Sequence, residues 1–599
     1  MRFILLSTIL LVSSLLWADS SVVIVDDFKT DYDWQSLWRN DLQKIGIKAD
    51  IVSVDEVESL GELDSGVVVW NCGNSVEDTL TTKDQEIINA YLSKGGNLFL
   101  IAPGLPSELF QRGSREWLKA KMGCDYVMPN SPITWSTTYL GLDIAGVEGS
   151  ILENIEFSLT FGPESKVPAD ELTLIHSTDD RCKHVVEFTY APGYLGVARE
   201  TPINRTLFLT FPMESIKPNS VRQDILKKSL DWLLCPRMEG RGIWVVRNQM
   251  ISPENIDHIV DACADANFNA LYVQVRGRGD AYYNSATEPR TESLSDQPVT
   301  FDPLKHCIER AHKRGLEVHA WLNAGYIWNM GDLPENPKHI LNRHPDYVMV
   351  NRSGKSQADY TDEEFQSQYS EGRFLSLAAP EVQDYLTGVY LEIVKNYDVD
   401  GIHFDFIRYP SRGVEYDYDL DYNPLVVKAF RSDYNYDPHD VEIDSKSYLT
   451  WLEWQRKQIG ILVGGISKEA KSIKPGIRIS VAALSRYYLT RHQAMQDWIA
   501  WLRKGQIDTA CIMAYDEDID LVVQECLLGQ ENRGNGTIWV GMGAGHDINL
   551  IIDRISSVRS IVKPEGIMFF PWGGLDESEL NELKTRPFVS PAKVPPVLR

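Results

Sequence analysis

The sequence lacks a cluster of basic residues and any surplus of positive charge. Lys+Arg number 59 against 85 Asp+Glu, a formal net charge of −26. Capturing a polyanion through its phosphates needs a positive surface, so no nucleic-acid partner is expected. No CxxC pair occurs among the eight cysteines, Cys72, Cys124, Cys182, Cys235, Cys263, Cys307, Cys511 and Cys526. A zinc cluster and a dense disulfide scaffold are both unsupported, leaving room for one or two bridges whose pairing stays open. No HxH or HExxH run is present, so neither a metal nor a cofactor is expected. After residue 18 no stretch is long and apolar enough to span a bilayer. With 43% apolar and 24% charged residues, the chain is not mainly disordered.

The run at 1–18 has one Arg, an apolar core from Phe3 to Trp17 and a small residue, Ala18. This is the pattern of a cleaved secretory signal peptide, and it predicts a mature amino terminus near Asp19 in a secreted or periplasmic protein. No Cys follows directly, so a lipid anchor is unsupported.

From 19 to 235 short apolar strands alternate with helices. Strands are expected at 21–26, 49–54, 66–70 and 97–102, with helices at 34–45 and 84–94. Uniformly apolar strands separated by helices imply a parallel sheet covered on both faces, a doubly wound α/β domain. It resembles glutamine-amidotransferase-like or flavodoxin-like layer domains, without the Gly-x-Cys-x-Gly turn that would present a nucleophile. A polar hinge at 236–240 follows. Beyond it, expected strands at 243–246, 270–275, 316–322, 401–406, 477–482, 509–514, 537–541 and 566–570 alternate with helices. Eight such units within 238–580 are the count of a (β/α)8 TIM barrel. Residues 581–599, with four prolines, read as a poorly ordered tail.

In a barrel of this kind the chemistry sits at the carboxyl ends of the strands. The second strand runs out through Arg276 towards Asp280, the third carries His319, Trp321 and Asn323, and the fourth His403 and Asp405, followed by Arg408. The sixth ends at Tyr515-Asp516, the eighth at Trp572, and the fifth carries no acid. Alternation puts His403 and Asp405 on one face of their strand, and an ionisable pair inside a barrel is costly unless it is paired or functional.

The runs Arg241–Trp244, Val273–Tyr283, Gly315–Asn323 and Tyr397–Pro410 (YDVDGIHFDFIRYP) are similar to those of the glycosyl hydrolase-like family 10 of secreted bacterial proteins, over about 238–575. The resemblance implies a glycoside hydrolase, with a polysaccharide or oligosaccharide as substrate and cell-wall-type amino-sugar glycans among the candidates. Such cleavage needs two carboxylates across the scissile bond. Asp405 is the leading one, in the position of a strand-four nucleophile. Asp516 is chosen as the second, as in α-galactosidase-type barrels, with Asp280 in reserve. Arg276, Asp280, Asn323, His403, Arg408 and Tyr515 are expected to bind or position substrate, and Trp321 and Trp572 to stack on sugar faces. The competing reading is a carbohydrate-binding protein without catalysis.

Overall fold

The computed structural model describes residues 22–27, 34–57, 66–73, 75, 78–127, 142–160, 173–189, 192–201, 204–235, 237–368, 370–410, 420–443 and 445–597. The expected signal peptide lies outside them. The chain divides into two compact units, Met1–Pro236 and Arg237–Arg599.

In the first unit, strands Asp50–Ser53, Val22–Asp26, Val67–Asn71, Asn97–Ile101 and Arg205–Leu209 lie side by side and run parallel. Four of them, including VVIVD and VVVWN, are almost wholly buried, as expected of strands covered on both faces. Helices Trp34–Ile45 and Asn219–Leu234 contribute to one apolar cluster and Thr82–Ser93 to the other. The sheet is not purely parallel, as the sequence had suggested. Past Arg205–Leu209 it continues with antiparallel strands, among them Tyr194–Glu200, Cys182–Phe188 and Leu142–Gly146. Tyr194–Glu200 and Cys182–Phe188 alternate buried with exposed residues only in part.

The second unit is a closed barrel of eight parallel strands: β1 Gly240–Val245, β2 Ala270–Arg276, β3 Glu317–Asn323, β4 Gly401–Asp405, β5 Arg478–Leu484, β6 Thr509–Met513, β7 Thr537–Gly543 and β8 Gly566–Phe570. The outer helices begin where their sequence says they should. Ser252 caps a helix at Pro253, and Asp302 caps one at Pro303, each side chain accepting a backbone N–H of the first turn. That satisfies a donor the helix cannot. The lumen is filled by Trp244, Tyr272, Trp321, Cys511, Trp539 and Met568. The Trp539 ring fits because β1 and β8 open with glycine: a Cβ at Gly240 would come within 2.0 Å of it, and one at Gly566 within 2.5 Å.

The carboxyl-terminal segment is an ordered part of this unit rather than the loose tail expected from its prolines. Ala592–Lys593 pairs in parallel with Arg237–Met238. The buried Arg241 donates to the Ser590 carbonyl at 2.6 Å, Asn269 to the Ala592 carbonyl at 3.0 Å, and Arg478 to the Pro595 carbonyl. These partners sit at the start of their strands, so the segment seals the barrel floor. Ending the chain after Val589 would leave buried guanidinium donors without acceptors. Each costs about 1–3 kcal/mol, so calorimetry of that truncation is expected to show a melting temperature lower by several degrees.

Candidate active site

Above the aromatic lumen, the carboxyl ends of the strands enclose a pocket of about 380 Å³. Asp405, the last residue of β4, forms its floor together with Trp321 and Asn323 of β3, where Asn323 and Asp405 are paired in register. The Trp321 indole donates to Asp405 Oδ2 at 3.0 Å, and the Phe406 backbone N–H donates to Oδ1 at 2.7 Å. Phe406 has a φ of +47°, a strained value for an aromatic residue of the kind that collects at functional sites. Burial pushes the Asp405 carboxyl up to about 6, against the opposing pull of Arg408 and of the two donors. Desolvation favours the neutral form.

The second carboxylate of the pocket is Glu371. It belongs to the long excursion between β3 and β4, beside the small antiparallel pair Tyr326–Trp328 and Arg373–Phe374. Gly372 lets that chain pass, since a Cβ there would meet the Trp328 carbonyl at 2.3 Å. Arg408 pairs with Glu371, and its charge also acts on Asp405. Its Nη2 donates to Glu371 at 2.9 Å, its Nη1 to the Tyr409 carbonyl at 3.0 Å, and its guanidinium lies 4.4 Å over the Phe406 ring. Glu371 adds a negative field that raises Asp405 further. Trp244, Tyr515 and Phe570 complete an aromatic wall, with Tyr515 stacked on Phe570 at 5.6 Å.

His403 lies beneath this floor, fully buried, and not in the pocket. Its Nε2 accepts from the Trp244 indole at 3.0 Å and its Nδ1 faces Ser480 Oγ at 2.9 Å. Burial, with His319 nearby, drives its pKa well below the ordinary value. A neutral ring with the proton on Nδ1 satisfies both neighbours. His403 therefore fixes Trp244 and does not touch substrate.

Of the residues expected from sequence, the pocket gathers Asp405, Trp321, Asn323, Arg408 and Tyr515. It does not gather the others. Asp516 is partly exposed and faces Arg486 at 3.6 Å. Asp280 is spent on its own loop, accepting the Arg278 backbone N–H at 3.1 Å. Trp572 is core: its ring meets His258 edge-on at 5.9 Å, and its backbone N–H donates to the Trp244 carbonyl at 2.8 Å. Arg276 is turned away because the pairing of β2 with β3 shifts register between Gln274 and Arg276. A bulge of this kind reverses the face of the next side chain, and Arg276 is buried against Glu288 at 2.6 Å. Glu371, Trp244, Gln274 and Arg247 line the pocket without having been singled out. Glu371 sits in an irregular excursion with no strand to place it, whereas Gln274 and Trp244 follow the same alternation that marked Asn323.

Cys124, Cys182, Cys263, Cys307, Cys511 and Cys526 are free thiols. Among the described residues no cluster of His, Cys, Asp or Glu is placed to hold a metal ion, and no helix is long and apolar enough to cross a membrane.

An eight-stranded barrel with two carboxylates and an aromatic wall at the strand ends is an arrangement that glycoside cleavage can use. Residues 239–531 match the family Glycosyl hydrolase-like 10. Over 261 residues the chain is 27% identical to "Glycosyl hydrolase YngK" of Bacillus subtilis (strain 168), covering 42% of each chain. Over 279 residues it is 25% identical to "Glycosyl hydrolase DigH" of Escherichia coli (strain K12), covering 44% of this chain and 52% of that one. The match thus spans about half the length of these relatives. Among solved structures, an α-L-fucosidase isoenzyme from Paenibacillus thiaminolyticus aligns over 59% of this chain and 49% of its own, at 16% identity and a TM-score of 0.41. The catalytic domain of a β-amylase from Paenibacillus polymyxa aligns over 58% and 97%, at 12% identity and a TM-score of 0.41.

Proposed function

We propose that this protein is an exported glycoside hydrolase that cleaves a structural polysaccharide, with amino-sugar or peptidoglycan-type glycans as the leading substrate class. Asp405 and Glu371 act as its carboxylate pair. The observation that carries this reading is the buried Asp405, held near pKa 6, in one pocket with an ion-paired Glu371. A carboxyl that keeps its proton at mildly acidic pH is suited to protonating the leaving glycosidic oxygen, while an ionised partner attacks the sugar or activates water. This replaces the nucleophile role expected for Asp405 and substitutes Glu371 for Asp516. The competing carbohydrate-binding reading draws on β5, which brings no acid to the site.

The test is release of reducing ends from a panel of amino-sugar and neutral polysaccharides. Wild type is expected to release them from at least one. Glu371→Gln should lower turnover about 10²–10⁴-fold, whereas Asp516→Asn should stay within a few-fold of wild type. Glycans that bind but yield no new ends would favour the binding protein. A large loss in Asp516→Asn with none in Glu371→Gln would restore the pair expected from sequence.

A further inference from the structure

The pocket of this strongly acidic protein contains two guanidinium groups, and only one of them is neutralised. Arg408 is committed to Glu371, to the Tyr409 carbonyl and to the Phe406 ring. Arg247, just past the end of β1, lines the same pocket. Its one side-chain partner is a neutral amide oxygen: Nη1 donates to Gln274 Oε1 at 3.1 Å, and the Arg247 backbone N–H points to the same atom at 3.4 Å. Among the described residues no carboxylate lies within ion-pairing distance of Arg247.

The seat of this arginine is built. Its side chain lies against Gly277, where a Cβ would stand 2.5 Å from its Cδ and 2.9 Å from Nε and Nη1; any larger residue would push the guanidinium off the strand end. The amide it leans on is fixed in turn. Gln274 Nε2 donates to Asn323 Oδ1 at 3.2 Å, the Trp321 indole donates to that same oxygen at 3.2 Å, and the indole also reaches Asp405. A continuous chain of hydrogen bonds therefore sets Arg247 at a fixed place relative to the reacting carboxyl. With Asp405 largely neutral below about pH 6 and Glu371 paired, the charge of Arg247 is surplus within the pocket. A half-buried guanidinium with free donors is matched by a planar anion that accepts two N–H bonds at once.

We propose that Arg247 is a specificity-determining residue that holds the carboxylate of an acidic sugar unit next to the scissile bond. The inference rests on the glycosidase reading above and adds the charge of the substrate to it. A sugar carboxylate has two sources, a uronic acid or an acid carried on an ether side chain of an amino sugar, and the experiment separates them.

Two matched pairs of glycans are compared: a uronic-acid polysaccharide and its carboxyl-reduced form, and a peptide-free amino-sugar strand bearing lactyl ethers and its carboxyl-reduced form. Wild type is expected to prefer the acidic member of one pair by about 10- to 100-fold in kcat/KM, the factor a charge-assisted hydrogen bond supplies. The pair that shows this names the source. In Arg247→Gln the preference should collapse to near unity, and Arg247→Lys should restore part of it. The same pairs are titrated calorimetrically against Asp405→Asn, which reads affinity without turnover. Equal affinity for acidic and reduced forms, or a preference that survives in Arg247→Gln, overturns the proposal while leaving the glycosidase reading intact. If no glycan is cleaved by wild type, that reading fails, and the calorimetric comparison still decides whether Arg247 reads a carboxylate.

Discussion

Asp405→Asn is expected to abolish glycan cleavage, with turnover down about 10²–10⁴-fold, and at the same time to make the protein more stable at neutral pH. Both effects have one cause. The folded pocket raises the carboxyl from its ordinary value of 3.8 to about 6, so the folded state holds this proton more tightly than the unfolded chain. The associated stability is fully present below pH 3.8 and is lost as pH rises through about 6. At pH about 7.5 the wild type therefore carries a buried charge whose cost is up to about 3 kcal/mol. The isosteric amide does not carry it. Thermal melts should place Asp405→Asn above wild type at about pH 7.5, with the gap closing near about pH 4. Wild-type turnover, if Asp405 donates the proton, should fall as pH rises through about 6. A variant that is inactive but less stable than wild type at all pH values would mean that the carboxylate is a structural ion-pair member instead.

Arg276→Ala should be the most destabilising single change at the top of the barrel, by about 3–5 kcal/mol, because it strands a buried charge. The side chains of Arg276 and Glu288 are 0% and 1% exposed and meet at 2.6 Å. Tyr385 adds a hydrogen bond to the same Glu288 oxygen at 2.5 Å, and Arg276 also donates to the Asn323 carbonyl. Urea denaturation should show the loss, and Arg276→Met combined with Glu288→Gln should recover much of it, since no uncompensated charge remains. A residue that bound substrate would behave in the opposite way: unfolding would hardly change and KM would rise.

The contrast between these two residues shows what a sequence can convey about a site. Asp405 was legible because β4 is regular: period-two alternation carries it to the lumen face with His403, and its place at the strand end does the rest. Arg276 obeys the same alternation on paper, but one shift of register in β2 reverses its face, and nothing in the composition of that strand announces the bulge. Glu371 was illegible for a different reason. It reaches the pocket through the irregular stretch between β3 and β4, where no periodicity fixes which way a side chain points. Trp572 illustrates the ambiguity of large aromatics, which suit a sugar platform and a core equally. In the first unit, the parallel strands were readable from their unbroken apolar runs, whereas the antiparallel extension is built from more polar segments such as CKHVVEF and YLGVARE, whose pairing is set by tertiary contacts.

The floor of the barrel has a bearing on how a polymer can be handled. The chain enters the barrel at Arg237–Met238 and leaves it at Ala592–Lys593, and these two segments are direct neighbours. Entry and exit thus share the face opposite the mouth of the pocket. A polymer far longer than the pocket, such as the glycan proposed above, would lie across that mouth without meeting either junction, and a carrier or surface joined beyond Val597 would hold the barrel with its mouth turned outward. Because the two junctions touch, they could also be spliced together and the barrel reopened within an outer loop, as circular permutation requires.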